Sequence, residues 1–203
     1  MGLPAFQTDL PAHVSPADYL RLEREAEFKH EYFDGIIEAM AGARYAHNRI
    51  CMNLSGQLYG LLRGKGCTPV GSDQRVQILS GRAYTYPDLT VICGPPAFSE
   101  DDNLDTLTNP TLLVEVLSPS TANKDRGEKF MYYRQIPSLR QYLLLDSTTV
   151  HAELYTRDER DRWVLTETRD LATVLDLSSI GCQVPLAEVY AGAEPLISAD
   201  LAN

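Results

Sequence analysis

The sequence predicts one mixed α/β domain with a central sheet and helices on its faces. Three observations support this fold class. The chain has 203 residues, which is enough to bury one hydrophobic core. Hydrophobic residues make up 44% and charged residues 23%, as in ordinary globular proteins. Helical and strand patterns follow one another in the order helix, hairpin, helix, strands, helix and strand.

The first half of the chain carries clear start and stop signals. Ser15 followed by proline marks the beginning of a helix that extends toward Glu25. Asp34-Gly35 lies between two apolar segments, which predicts a hairpin turn. Apolar residues recur at helical spacing from Ala46 to about Leu62, so we expect a long helix there.

The second half predicts strands separated by one further helix. Short apolar segments bounded by Gly, Ser or Pro predict strands at 68–70, 75–79, 86–92, 111–117 and 141–145, a hairpin of 150–156 with 163–168, and a last ordered segment at 183–190. Asp125 and Glu128 have capping-box spacing, which predicts a helix that ends before Pro137. We expect 1–203 to form a single domain, with 1–14 as a surface segment and 191–203 as a tail.

The cysteines and the N-terminus indicate the compartment. The four cysteines (Cys51, Cys67, Cys93 and Cys182) lie far apart and form no C-x-x-C pair, so we expect reduced, mostly buried thiols. The N-terminus lacks the basic and apolar regions of a signal peptide. No apolar run approaches the roughly 20 residues that cross a bilayer. We therefore expect a cytoplasmic protein without membrane association.

The net charge of −10 argues against a protein that coats nucleic acid nonspecifically. The charge is unevenly distributed, however. Four basic residues and no acid occur between positions 39 and 72 (Arg44, Arg49, Arg63 and Lys65), and five bases face two acids between 121 and 141. These segments predict a basic face on an acidic body, with ordinary solvated helix surfaces as the alternative.

The strand segment LLVEVLS places Glu115 inside an apolar run, where an ionised carboxylate is unfavourable unless a cation or strong donors compensate it. A salt bridge to a nearby arginine is one explanation. Asp88 enters a second apolar segment, TYPDLTVI, although Pro-Asp can also simply begin a turn or strand. Two convergent carboxylates suit Mg²⁺ or Mn²⁺, which can polarise a phosphodiester and activate an attacking water.

Several motifs occur in a characteristic order: YPDLTVI, then LLVEVLSPST, then DRGEKFMYYRQIPSLRQYLLLD. This set resembles the restriction endonuclease family known as domain of unknown function 820, within the PD-(D/E)XK nuclease superfamily. The resemblance spans roughly 31–146. It implies a restriction-endonuclease-like fold, with a mixed central sheet flanked by helices, and Mg²⁺-dependent hydrolysis of DNA phosphodiester bonds.

Carried over residue by residue, the resemblance makes Asp88 and Glu115 the metal ligands. The lysine expected two positions after Glu115 is replaced by Leu117. In this family a lysine from the following helix can substitute, and Lys129 in GEKF matches it, with Lys124 as the nearer competitor. The implied role of Lys129 is to position the attacking water or to stabilise the developing phosphate charge.

Other residues are candidates for accessory roles, and each could instead have a purely structural role. Glu38 could be a further metal ligand or an exposed hairpin residue, and His47 could contact phosphate, shuttle a proton or cap the long helix. Ser118 and Thr121 could bind phosphate near a helix N-terminus, or simply form a Ser-Pro turn. Weaker candidates are Glu31, Gln74 and Arg75.

DNA is the predicted partner, with contacts at Arg49 and Arg126. A homodimer would let two single-metal sites cut both strands. The alternative is a catalytically inactive nucleic-acid-binding module of the same fold, which the missing lysine favours and the carboxylate pair opposes. A structural or interaction protein is a second alternative, which buried carboxylates disfavour.

Overall fold

A computed structural model describes residues 13–100 and 105–193. Most of the predicted N-terminal segment 1–14, most of the tail 191–203 and part of the acidic loop SEDDNLD lie outside these described residues. Among the described residues, no helix combines the length and the apolar character needed to cross a bilayer.

Five α-helical segments are present in the described part of the chain. They are α1 (Pro16–Glu25), α2 (Tyr45–Leu62), α3 (Ala122–Lys124), α4 (Phe130–Tyr133) and α5 (Leu186–Val189). A π-helical turn, Asp125–Lys129, joins α3 to α4. The prediction for α1 is confirmed, since the Ser15 side chain accepts a hydrogen bond from the Asp18 N–H. The predicted long helix is confirmed as α2.

The strands fall into two mixed sheets and one small hairpin. They are β1 (His30–Phe33), β2 (Ile36–Ala39), β3 (Cys67–Gly71), β4 (Arg75–Ile78), β5 (Ala83–Thr85), β6 (Leu89–Cys93), β7 (Thr106–Leu107), β8 (Leu112–Leu117), β9 (Gln141–Asp146), β10 (Ala152–Arg157), β11 (Trp163–Thr168), β12 (Val174–Leu177) and β13 (Cys182–Pro185). The predicted hairpin at Asp34-Gly35 is confirmed, with both residues at positive φ.

The central sheet has six strands in the order β11-β10-β9-β8-β6-β3. Strands β8 and β9 are parallel and their neighbours are antiparallel. Alternate residues of β8 face opposite sides of the sheet, so Val114 packs with Leu54 of α2, whereas Leu113 packs with Tyr133 of α4. The sheet is therefore covered by helices on both faces, as the predicted fold class requires.

A second sheet has the order β2-β1-β5-β4-β7. Its residues Phe33 and Val76 share a buried cluster with Tyr132 and Leu113, so this sheet packs on the α4 side of the central sheet. Helix α1 covers its other side through Tyr19, which stacks on a neighbouring tyrosine. This arrangement brings β1 and β2 close to the helical segment that follows β8.

Two local predictions are wrong. The predicted strand 86–92 begins only at Leu89, so Asp88 lies in the bend before the strand. The helical segment begins at Ala122, one turn earlier than the capping-box spacing suggested, so Asp125 lies inside it and is buried. The Asp125 N–H donates to the Thr121 carbonyl, a bond made within a helix, so Asp125 is not the residue that begins the helix.

The cysteines also depart from expectation. Cys67 and Cys93 form a disulfide, because the antiparallel register of β3 and β6 places them directly opposite each other. Their separation in sequence conceals this pairing. Cys51, which is half-buried, and Cys182, which is buried, are free thiols as predicted.

Candidate active site

A cavity of about 480 Å³ opens where the central sheet, the second sheet and the helical segment 122–133 meet. The edges of β1 and β2, the start of α2, the loop 118–121 and the π-helical turn all line it. Its charged side chains are five carboxylates (Glu31, Glu38, Asp88, Glu115 and Asp125) and three bases (Arg44, Lys124 and Lys129). Carboxylates therefore outnumber lysines and arginines by two, and His47 also lines this partly enclosed space.

Glu115 projects from β8 on the α4 side of the central sheet and is buried. Its Oε1 accepts hydrogen bonds from Lys129 Nζ at 3.1 Å and from the Tyr133 hydroxyl at 2.8 Å. Burial raises the pKa of Glu115 well above its usual value, although the charge of Lys129 opposes that shift. The predicted carboxylate and the predicted lysine are thus in direct contact.

Lys129 lies at the centre of a buried charge cluster. Its Nζ is 2.8 Å from Glu31 Oε1, 3.1 Å from Glu115 Oε1 and 3.3 Å from Asp125 Oδ1. Burial alone would lower the pKa of Lys129, but attraction to the three carboxylates outweighs it, so the pKa is raised. The lysine therefore remains charged and holds three elements together.

Glu31 and Asp125 also belong to this cluster, although the sequence predicted Glu31 only as a weaker candidate and Asp125 only as a helix cap. Glu31 lies in β1, whose four residues are all buried, and Asp125 lies in the π-helical turn. Burial raises the pKa of Asp125, with Lys129 opposing the shift. The signal for Asp125 was available, because it precedes Lys129 by four residues and therefore lies on the same side of a helix. For Glu31 no local signal was available, because its strand, His30–Phe33, is not uniformly apolar.

Asp88 lies at the other side of the cavity. Strands β6 and β8 pair Leu89 with Val114, so Asp88 and Glu115 occupy the next positions along these two strands. Asp88 Oδ2 accepts a hydrogen bond from the Val116 N–H at 2.7 Å, which fixes its carboxylate at the end of β8. The structure thus brings the two predicted metal ligands into one cavity.

His47 and Cys51 extend this side of the cavity through the first turns of α2. His47 Nε2 lies 3.2 Å from Asp88 Oδ2, and His47 Nδ1 lies 3.6 Å from Cys51 Sγ. Burial lowers the pKa of His47, but the hydrogen bond and charge of Asp88 outweigh it and the pKa is raised. Burial, reinforced by Asp88 and Glu115, raises the pKa of the Cys51 thiol.

Lys124 occupies the mouth of the cavity. Its Nζ lies 2.5 Å from Glu38 Oε2 and 3.3 Å from Glu31 Oε2, above the ring of Phe33. Its side chain is 23% exposed, whereas that of Lys129 is 7% exposed. Of the two competing lysines, Lys129 is the one in contact with Glu115, and Lys124 pairs with the accessory candidate Glu38.

The loop after β8 closes the cavity rim. The Ser118 N–H donates to Thr121 Oγ1 at 3.3 Å, and the two hydroxyls lie 3.1 Å apart. Both residues line the cavity. Leu117, at the position where the family motif has a lysine, is buried in the core below the loop. A lysine of the helical segment, Lys129, therefore contacts Glu115, and the Ser-Pro turn forms part of the rim of the cavity.

Four other candidates lie elsewhere. Arg49 is exposed and donates to the Ala191 carbonyl at 3.2 Å, and Arg126 donates to Glu153 Oε1 at 2.7 Å. Gln74 and Arg75 are not brought to the cavity either. Arg75 is buried against Thr106, and Gln74 donates to the Asp105 carbonyl.

Comparisons with known proteins agree with this architecture. The crystal structure of a putative nuclease belonging to DUF820, from Anabaena variabilis, superimposes with a TM-score of 0.73 at 15% identity. The match covers 89% of this chain and 99% of that one. At this identity the likeness establishes the fold, and the predicted restriction-endonuclease-like α/β class is confirmed.

Sequence relatives also match over most of the chain. Two proteins of Synechocystis sp., both called uncharacterized (slr1290 and sll1609), are each 38% identical to it. The alignments cover 88% of this chain and 92% of the first relative, and 76% of this chain and 86% of the second. The Uma2 family, described as "Putative restriction endonuclease", matches residues 16–187. With most of its length matched, from the first helix to the last, this chain belongs to the Uma2 family.

Proposed function

We propose that the protein is a divalent-metal-dependent endonuclease that hydrolyses DNA phosphodiester bonds in this cavity. One observation carries the proposal: Lys129 Nζ lies 3.1 Å from Glu115 Oε1 in a cavity that Asp88 also lines. Two carboxylates and a lysine are the groups that the family resemblance assigns to phosphodiester hydrolysis. The helix supplies the lysine that β8 lacks.

The residues present fit a hard divalent cation. Asp88 and Glu115 offer carboxylate oxygens, which Mg²⁺ and Mn²⁺ prefer, and the cavity has room for the waters that Mg²⁺ usually keeps. The excess of acidic over basic groups would be offset by two positive charges. When bound, such an ion would polarise the phosphodiester and lower the pKa of an attacking water.

Lys129 supplies a fixed positive charge beside Glu115. A phosphate group bound near these two residues would meet the ammonium where negative charge grows in the transition state. Glu31 and Asp125 hold that ammonium in place through their own ion pairs. Their proposed role is therefore to position Lys129 rather than to touch the substrate.

The test is incubation of the purified protein with supercoiled and linear DNA, with RNA in parallel, in Mg²⁺, Mn²⁺ or a chelator. We expect metal-dependent DNA cleavage that is lost in the double variant Asp88→Ala, Glu115→Ala. Equal cleavage by that variant would identify a contaminant. DNA binding without cleavage under every metal condition would support the alternative, an inactive binding module. A homodimer remains a prediction, to be tested by light scattering.

A further inference from the structure

A second set of donor atoms lies beside the oxygen ligands. One ligand atom each from His47, Cys51 and Asp88 lies within 4.8 Å of the other two. His47 and Cys51 are four residues apart on α2, so both side chains project from one face of the helix. Asp88 approaches them from the bend before β6. The proposed nuclease chemistry leaves the imidazole and the thiol without a role.

We propose that His47, Cys51 and Asp88 form a Zn²⁺ site, and that Zn²⁺ bound there inhibits the nuclease. Imidazole nitrogen, thiolate sulfur and carboxylate oxygen are the three donor types that protein zinc sites use. Mg²⁺ selects oxygen ligands and has little affinity for sulfur. The two sites therefore prefer different metals, because the site of Asp88 and Glu115 offers only oxygen ligands.

The distances are close to those that zinc requires. In a tetrahedral site with Zn–S of about 2.3 Å and Zn–N or Zn–O of about 2.0 Å, donor atoms lie roughly 3.3–3.6 Å apart. His47 Nε2 and Asp88 Oδ2 are already 3.2 Å apart. Cys51 Sγ is 3.6 Å from the other ring nitrogen, Nδ1, and one ligand atom of each residue lies within 4.8 Å of the other two, so a side-chain rearrangement must bring Sγ, Oδ2 and one nitrogen around a single ion.

The surroundings favour an open coordination position. All three side chains are half-buried and two of them line the cavity, so water can complete the coordination. Three protein ligands plus one water is the arrangement of zinc sites that keep an exchangeable position. Binding of the thiol as thiolate releases one proton to solvent.

The inhibition follows from the shared carboxylate and rests on the proposed function. Asp88 is a ligand in both sites, so an ion held by His47 and Cys51 draws it away from Glu115. Zn²⁺ then competes with Mg²⁺ for one carboxylate, and the DNA-cleaving arrangement is lost. Inhibition should consequently depend on the thiol, whereas cleavage in Mg²⁺ alone should not.

Titration of the whole protein with Co²⁺, a spectroscopic substitute for Zn²⁺, tests the site directly. Cobalt bound to a thiolate gives a sulfur-to-metal charge-transfer band, which oxygen and nitrogen ligands do not produce. We expect this band in the parent protein, its displacement by Zn²⁺ and its absence in Cys51→Ser. Cys182→Ala is the matched control, because it removes the other free thiol, which is buried in β13 and does not line the cavity.

Affinity provides a second measurement. His47→Gln should weaken Co²⁺ binding by about 100-fold or more, since even residues outside the coordination shell contribute 10–100-fold. A charge-transfer band that persists in Cys51→Ser, or Co²⁺ binding by the parent protein without such a band, would overturn the zinc site. Circular dichroism of each variant verifies that the fold is intact.

The two proposals fail separately. If the band is present but the protein cleaves no DNA in any metal, the proposed function fails and the zinc site stands. If Mg²⁺ supports cleavage but no band forms, the zinc site fails and the function stands. If the protein shows both the band and Mg²⁺-dependent cleavage, Zn²⁺ should inhibit the parent protein. At least about ten times more Zn²⁺ should then be needed to inhibit Cys51→Ser. Equal inhibition of both proteins would overturn the inhibitory role.

Discussion

Lys129 and Glu115 lie 3.1 Å apart in a buried ion pair, although 14 residues separate them in sequence. The pair forms because Glu115 faces the α4 side of the central sheet and the π-helical turn crosses that side. Leu117 is buried in the core at the position where the family motif has its lysine. Lys129, which lies in the π-helical turn on the α4 side of the sheet, contacts the Glu115 carboxylate instead.

Replacement of Lys129 should lower the free energy of unfolding of the domain. Lys129→Ala removes a cation that contacts Glu31, Glu115 and Asp125 together, leaving three buried carboxylates near one another. Breaking a buried ion pair on one side typically costs about 3–5 kcal/mol. We expect a loss of stability of that order in urea denaturation without added metal, and partial recovery with Mn²⁺.

Lys124→Ala is the matched control for this prediction. Lys124 also pairs with Glu31, but it is more exposed and its second partner, Glu38, is 44% exposed. We expect the cost of its loss to be about 1 kcal/mol or less, as for partly solvated ion pairs. Equal destabilisation by the two variants would contradict the central position assigned to Lys129.

The sequence predicted the positions of helices and strands better than the contacts between them. The boundaries of α2 were predictable to within a residue, because the apolar spacing that defines the helix is the same spacing that buries it. Glu31 joins the site because the second sheet packs against the central one, and no local pattern encodes that contact. The pairing of Cys67 with Cys93 likewise depends on a cross-strand register. Glu115 was predictable because a carboxylate in an apolar strand is costly wherever the strand lies, whereas Asp88 lies in the bend before β6 and reaches the same cavity from there.

Glu115→Gln should keep or increase the stability of the metal-free protein at pH 7. The glutamine oxygen can still accept from Lys129 and Tyr133, and the buried charge is gone. Because folding raises the pKa of Glu115, the parent protein loses stability as pH rises above about 4.5, the usual carboxyl value. Without metal, the variant should therefore be at least as stable as the parent at pH 7, with the advantage disappearing toward pH 4.5.

The same variant should not be stabilised by Mn²⁺. A ligand that binds the folded state raises its melting temperature in proportion to the logarithm of its concentration. We expect this increase in the parent protein and its loss in Glu115→Gln and in Asp88→Asn, measured by calorimetry. An undiminished Mn²⁺ response in both variants would exclude Asp88 and Glu115 as the metal ligands.

The hairpin at Asp34 should give a distinct acid-dependent signal. Asp34 accepts hydrogen bonds from Arg82 and from the Tyr132 hydroxyl, which lower its pKa to about 2. A lowered carboxyl pKa stabilises the fold above the usual value of 3.8, and that contribution is lost as pH falls toward 2. Asp34→Asn, which tolerates the positive φ of this position, should be less stable than the parent at pH 7 and equal to it near pH 2. A constant difference between their urea midpoints would contradict the assignment.

Arg44 should contribute more to DNA affinity than Arg49 or Arg126, the residues that the sequence suggested. Arg44 lines the cavity and precedes α2, whereas Arg49 projects about 200° away from His47 around the helix. Arg126 is paired with Glu153 and does not line the cavity. Charge reversal of Arg44 should weaken binding to every DNA sequence and lower the slope of log affinity against log salt by about 1, because one phosphate contact is lost.

Fluorescence anisotropy over a salt series measures both the affinity for DNA and its dependence on salt. If Arg49→Glu produces this change and Arg44→Glu does not, DNA approaches along the outer face of α2 instead of through the cavity.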